Sequence, residues 1–331
     1  MSVFNDFVAK IQGNRDISEV DKSMMLKNLA SLKDEKVHVL ITGATGCGKS
    51  STINALFGEE KAKIGQGSNP ETMHIARYDF KNVILFDSPG LGDGKEADLR
   101  HAKGIAEKLL EKKPNSDDLL IDLVLVILDG GSRDLGTSYQ LITEVIIPHL
   151  GEDQSRLLIA INQADVAMKG RYWNFEENKP EPELVKFLDG KVESTKSRIK
   201  EATGVDVSPI YYAAGYKDGD ESQYPWNLSK LMAHILQHTK PEKRIVYASD
   251  INKNPDVWKQ DEDYKIHTEI IKQSFIDSFV QNVTKGVSGA VDVVRNVAGA
   301  AVGVVTGVAS GVASAVSSVV SSVGSFFSSW W

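Results

Sequence analysis

Gly43-Ala44-Thr45-Gly46-Cys47-Gly48-Lys49-Ser50 is the stretch on which the reading of this 331-residue chain turns. The pattern is G-x-x-x-x-G-K-[ST], preceded by an apolar run at residues 37–42 and followed by a helical pattern at residues 49–57. In that strand–loop–helix setting the spacing has a physical meaning. Glycines allow successive backbone N–H groups of Gly43, Ala44, Thr45, Gly46, Cys47 and Gly48 to turn inward around phosphate oxygens. The helix that opens at Lys49, with Ser50 and Ser51 in its first turn, adds the positive end of its dipole. Lys49 is expected to reach the β- and γ-phosphates of a nucleotide, and Ser50 to hold Mg²⁺ through its hydroxyl.

Outward from this loop, short β-branched runs alternate with longer amphipathic segments. Strands are expected at residues 37–42, 75–80, 82–87, 121–129, 157–161 and 207–212, and helices at 49–57, 97–111, 138–149, 183–201 and 228–237. Continuous apolar strands separated by helices imply an α/β fold, a doubly wound and mostly parallel sheet. Residues 168–183 break the rhythm with an aromatic and charged loop. The chain divides into an N-terminal helical segment (1–35), the α/β domain (36–240), a polar connector (241–264) and a helical tail (265–331). In the first segment Met25, Leu29 and Leu32 recur on one helical face, and Asp16 with Glu19 resembles a capping box.

Four further candidate sites follow along the chain. Asp87, in Asp87-Ser88-Pro89-Gly90, ends the 82–87 strand, where its carboxylate can support the Mg²⁺ shell and the Gly90 N–H can approach the γ-phosphate. Thr72, in the loop between, is the candidate for a second hydroxyl contact to Mg²⁺ and phosphate. Lys49, Thr72 and Gly90 are the catalytic candidates; Ser50, Thr72 and Asp87 are the metal candidates. Asn162-Gln163-Ala164-Asp165 follows the 157–161 strand and resembles the N-K-x-D motif of GTPases. The Asp165 carboxylate can accept from guanine N1–H and its 2-amino group together, which adenine cannot match. After the 207–212 strand, a backbone N–H near Ala213 is the candidate contact for guanine O6.

In order and spacing these motifs resemble the Era/TrmE-like branch of translation-factor-class GTPases, and within it the bacterial YfjP/YeeP-type GTPases often labelled ribosome-binding. The resemblance covers about residues 36–240 and implies GTP binding and hydrolysis with Mg²⁺. There are departures. Gln163 replaces the usual Lys of N-K-x-D. Gly46 stands where many relatives carry an Asn that helps hold potassium. Leu91 occupies the place of the water-positioning Gln of Ras-like proteins, so intrinsic turnover is expected to be slow, with a partner or dimer completing the site.

The composition sets the remaining expectations. With 38 Lys and Arg against 45 Asp and Glu, the formal net charge of −7 disfavours broad nucleic-acid binding, and no DNA partner is expected. The single cysteine, Cys47, excludes an intrachain disulfide and fits a reducing, cytoplasmic setting. After Arg295 no charged residue occurs. Gly299, Gly303, Gly307 and Gly311 are spaced by four beside a valine stripe, and Trp330 and Trp331 end the sequence. Three readings stay open for this tail: a membrane-associating or oligomerising segment at the inner face of the membrane, a helix packed on its own protein or on a copy, and a low-complexity disordered tail. The functional readings are a GTP/GDP switch localised or oligomerised by the tail, a ribosome- or RNA-associated assembly GTPase, and a membrane-acting GTPase in the dynamin or immunity-related style.

Overall fold

Period-two burial places one layer of helices on each face of a central sheet. Along β1 (Val37–Gly43), Val37, Val39 and Ile41 enter one apolar core while Leu40 enters the other. The same split recurs in β3 (Val83–Asp87), where Val83 and Leu85 face one side and Ile84 and Phe86 the other. Strands buried on both faces can carry apolar residues at every position, which is why they read as unbroken runs. The computed structural model describes residues 17–58, 75–90, 94–218 and 221–287, together with 8, 9, 11–13, 15 and 92.

The six-stranded sheet has the order β2-β3-β1-β4-β5-β8, with β2 (Ala76–Asp79), β4 (Leu123–Asp129), β5 (Leu157–Asn162) and β8 (Ile210–Tyr211). Every pairing is parallel except β2 with β3. The doubly wound, mostly parallel architecture expected from the alternation is therefore present. The last strand is only two residues long, shorter than the 207–212 run suggested.

One face packs against α1 (Glu19–Asp34), α2 (Lys49–Phe57), α6 (Leu228–Gln237) and α7 (Tyr264–Val283). The other carries α3 (Lys95–Leu110), a composite α4 and α5 (Pro182–Thr203). In α4, Gly136–Gln140 is α-helical, Leu141–Ile146 widens to π, and Ile147–His149 returns to α. Pro148 has no N–H to give the carbonyl four residues back, and a preceding turn that widens accommodates its ring. The aromatic stretch after β5 forms a small hairpin, β6 (Trp173–Asn174) against β7 (Lys179–Pro180), rather than a loop. A second hairpin pairs β9 (Tyr216–Asp218) with β10 (Glu221–Gln223).

Two expectations at the ends are corrected. The α1 cap is Ser18, whose Oγ accepts from the Asp21 N–H at 3.1 Å; Asp16 lies outside the described residues. The segment expected as a polar connector (241–264) is packed into the core. Pro241–Ser249 is a 3₁₀ helix that buries Ile245, Val246 and Tyr247, and Ile251 and Trp258 follow them into the same core. Fully burying a side chain of this kind contributes about 1.5–3 kcal/mol. Asp250 then accepts from the N–H groups of Lys81, Asn82 and Val83 at 3.1, 2.6 and 2.8 Å, fastening this segment to the β2–β3 turn. On α1, Asn28 donates to the carbonyls of Val283 and Lys285, satisfying the open end of α7. The Val/Ala/Gly/Ser-rich tail beyond Val287 lies outside the described residues.

Candidate functional site

The loop after β1 turns at Gly48, which caps α2 in a left-handed conformation with φ of 87°. A Cβ there would also overlap the Asn162 amide, so the position combines strain with close approach and suits only glycine. Lys49 is half-buried, and its Nζ lies 3.3 Å from the Gly43 and Ala44 carbonyls, folded over the loop it would serve. Ser50 and Ser51 are exposed in the first turn of α2, while the Cys47 side chain is buried beneath the loop. Burial pushes the Cys47 thiol up to about 11, so Cys47 offers its backbone to the site and not a reactive sulfur.

Asp87 ends β3 opposite Ile41 of β1, which places its carboxylate one strand away from the phosphate loop. Burial raises its pKa to about 6, and the Lys49 ammonium offsets only part of that. Its Oδ1 is buried and has no hydrogen-bond partner among the described residues. A buried carboxylate oxygen left open beside a hydroxyl-bearing helix start fits a hard divalent cation. Among the described residues no cluster of three His, Cys, Asp or Glu side chains could hold a metal alone. Mg²⁺ at this place would be held by Ser50, Asp87 and nucleotide oxygens together, which is how Mg²⁺ is usually bound. Thr72 and Leu91 lie outside the described residues.

Gly90 sits against the phosphate loop so closely that a Cβ would overlap the Thr45 backbone. Two side chains of α3 that sequence reasoning missed position this turn. The His101 Nδ1 lies 3.1 Å from the Gly90 carbonyl, and Asp98 accepts from the Gly92 N–H at 2.9 Å. Their i, i+3 spacing just after Asp87-Ser88-Pro89-Gly90 was the available signal.

The segment that follows β5 is hydrogen-bonded to the loop after β1. Asn162, 1% exposed, donates from Nδ2 to the Cys47 carbonyl at 3.0 Å and accepts at Oδ1 from the Ala214 N–H at 2.9 Å. Gln163 donates to the Gly46 carbonyl at 2.8 Å with its own backbone at a φ of 61°. The amide thus bridges to the loop from the second position of the Asn162-Gln163-Ala164-Asp165 stretch. Burial raises the Asp165 pKa, and the backbone N–H groups of Asp165 and Val166 partly counter it. The Asp165 carboxylate has no hydrogen bond to another side chain among the described residues. The Ala213 expectation is corrected: its N–H donates to the Trp226 carbonyl at 3.0 Å in an isolated antiparallel bridge and is not available to a ligand.

Residues 38–163 match the family model described as 50S ribosome-binding GTPase. The chain carries a P-loop GTPase G domain. This G domain is 29% identical over 139 residues to the tRNA modification GTPase MnmE of Dichelobacter nodosus, covering 41% of this chain and 29% of that protein. It is 37% identical over 76 residues to the T-cell-specific guanine nucleotide triphosphate-binding protein 2 of Mus musculus, covering 21% and 18%. The chain spans less than a third of the length of these curated relatives. Among solved structures it resembles a probable GTP-binding protein engB at 22% identity and a TM-score of 0.37, covering 61% of this chain and 98% of that one. It also resembles Toc33 of Arabidopsis thaliana in complex with GDP and Mg²⁺, at 16% identity and a TM-score of 0.40, covering 66% and 85%. The YfjP/YeeP-type subgroup is not singled out by these likenesses.

Proposed function

We propose that this protein is a Mg²⁺-dependent GTP switch with slow intrinsic hydrolysis. The observation that carries the reading is the pair of bonds from Asn162 and Gln163 to Cys47 and Gly46, which make the guanine-reading segment and the phosphate loop one unit. Lys49 and the backbone of the loop bind phosphate, Ser50 and Asp87 would hold the cation, and Asp165 selects guanine. Mg²⁺, when bound, would neutralise developing charge on the phosphates. Gly90, held by His101, keeps a backbone N–H close to where the γ-phosphate would end. For Thr72 we retain the role of second hydroxyl contact. Lys49→Ala is expected to remove a charge-assisted contact worth about 1.5–3 kcal/mol, or roughly 10- to 100-fold in affinity. A fluorescent-GTP titration reads this, and an unchanged affinity would sink the site assignment. Turnover by dilute monomer is expected well below about one per second, the low end for enzymes.

The tail supplies localisation in this reading. Its charge-free valine and small-residue pattern and its two terminal tryptophans support contact with a membrane surface or with a second copy. Among the described residues no helix is long and apolar enough to cross a membrane. The full chain is expected to float with neutral liposomes, and a chain ending at Val287 to remain behind. Equal behaviour of the two would remove the membrane reading. The ribosome-binding description of the matched family favours a second reading, an assembly GTPase, for which GTP-dependent co-sedimentation with ribosomal subunits is the discriminating measurement.

A further inference from the structure

A groove of about 540 Å³ lies between α5 and the segment running from β4 into α4, lined in part by Arg133, Tyr139, Lys186, Phe187, Lys191 and Arg198. On α5, Lys186, Gly190, Ser194 and Arg198 recur every fourth residue, so they share one face over roughly 18 Å of helix. The two small residues open the floor between two long cations. Arg198 lies 5.4 Å from the Tyr139 ring centroid, and Lys191 lies 5.8 Å from that of Phe187. Phe187 is 40% exposed.

The charge balance of this groove is opposite to that of the chain. Four cations line it against one carboxylate, Asp134, whose Oδ1 already accepts from the Gly136 N–H at 2.8 Å. Among the described residues Arg133, Lys186 and Arg198 form no ion pair with any carboxylate. Cations spread along one groove without paired carboxylates set up a positive potential that attracts a polyanion. Guanidinium and ammonium groups beside an exposed aromatic face are the chemistry that takes up phosphates attached to a flat ring. The volume is that of a small-molecule site.

The groove is also joined to the guanine-reading segment. Lys191 donates to the carbonyls of Asp129, Gly130 and Ser132 at 3.2, 2.5 and 2.7 Å, holding the groove wall in place. Within that wall the Gly130 N–H donates to the Asn162 carbonyl at 2.7 Å. Asn162 in turn bonds Cys47 and Ala214.

We propose that the α4–α5 groove is a second ligand site, for a multiply phosphorylated ligand of nucleotide size, whose occupancy alters nucleotide release from the G domain. The phosphates engage Arg133, Lys186 and Arg198, and a ring, where the ligand has one, lies on Phe187. The phosphates can come from a soluble nucleotide or from a phosphorylated lipid headgroup.

The test uses the full-length chain loaded with GDP and Mg²⁺, so that the phosphate loop is filled. Inorganic tripolyphosphate is titrated calorimetrically against the wild type and against Lys186→Gln/Arg198→Gln. Both side chains are exposed, so the double variant is expected to fold and to retain GDP. The wild type is expected to bind, the variant at least tenfold more weakly, and the GDP release rate to change several-fold only in the wild type. Retention on phosphoinositide-bearing over purely neutral vesicles, reversed by tripolyphosphate, assigns the lipid source. Tripolyphosphate binding without such retention assigns the soluble one. Absence of wild-type binding, equal binding by both proteins, or release rates that do not respond overturns the proposal. Preference of the groove for a single-stranded uridine oligomer by more than tenfold overturns it in favour of RNA.

Discussion

An Asp165→Asn variant is expected to lose GTP by about a hundredfold or more and to gain xanthosine triphosphate in its place. Asp165 is 9% exposed and its carboxyl is raised in pKa by burial, so little water is available to repair a mismatched contact. Ionised Asp165 only accepts, which matches the N1–H and 2-amino donors of guanine. An asparagine amide turns one acceptor into a donor, so it opposes the 2-amino group and suits the 2-oxo group of xanthine. Because Asn162 and Gln163 carry the links to the phosphate loop, the substitution leaves that loop in place. Competitive titration with GTP, ATP and xanthosine triphosphate checks this. A variant that keeps GTP, or a wild type that takes ATP equally, would rule out Asp165 as the guanine reader.

The second large effect concerns stability, at the end of the sheet away from the phosphate loop. Lys243, only 6% exposed, donates to Asp122 at 2.8 Å and to the Lys36 carbonyl at 2.9 Å, with Glu35 at 3.3 Å. Burial opposes the charge on Lys243, but Asp122 and then Glu35 more than restore it and raise its pKa. Burial would likewise raise the pKa of Asp122, but contact with His38 and the charge of Lys243 outweigh it and lower it from 3.8 to about 2. Lys243→Met leaves Asp122 buried with the more distant Lys113 at 3.6 Å, and removing one partner of a buried pair costs about 3–5 kcal/mol. The pH dependence has a definite sign. A carboxyl whose folded pKa lies below its unfolded value stabilises the fold above the unfolded value. Its contribution is lost as pH falls through the window from about 4 to 2. The gap between wild type and Lys243→Met in urea midpoints is therefore expected to be full near neutrality and to shrink below about pH 4. Adding Asp122→Leu should recover part of the loss. A gap that is absent at neutral pH, or that widens on acidification, would contradict the assignment.

Local pattern alone carried the phosphate loop, the helix after it, the apolar strands, and Asp87 at a strand end. Each is written within a few consecutive residues, because strand burial, turn geometry and helix starts are set by near neighbours. The same holds for Met25, Leu29 and Leu32, which are buried at the spacing that marked them. What could not be read there depends on partners distant in the chain. Nothing near Ala213 announces that Trp226 takes its N–H. Residues 241–264 read as polar because Pro241, Lys243 and Asp250 interrupt them, yet Lys243 and Asp250 are the residues whose charges are met by Asp122 and by the β2–β3 turn. A buried charge looks like a solvated one until its counterpart is located. The α4–α5 groove is of the same kind, since Arg133 and Arg198 line one groove only when the segment after β4 packs beside α5. The sequence by itself determined that this chain builds a nucleotide-binding α/β sheet, because that information lies in local periodicity and one short motif. The tertiary structure decided that its connector and terminal helices belong to the same core, which amides join base to phosphate, and where unpaired cations collect, because each depends on contacts between residues far apart in the chain.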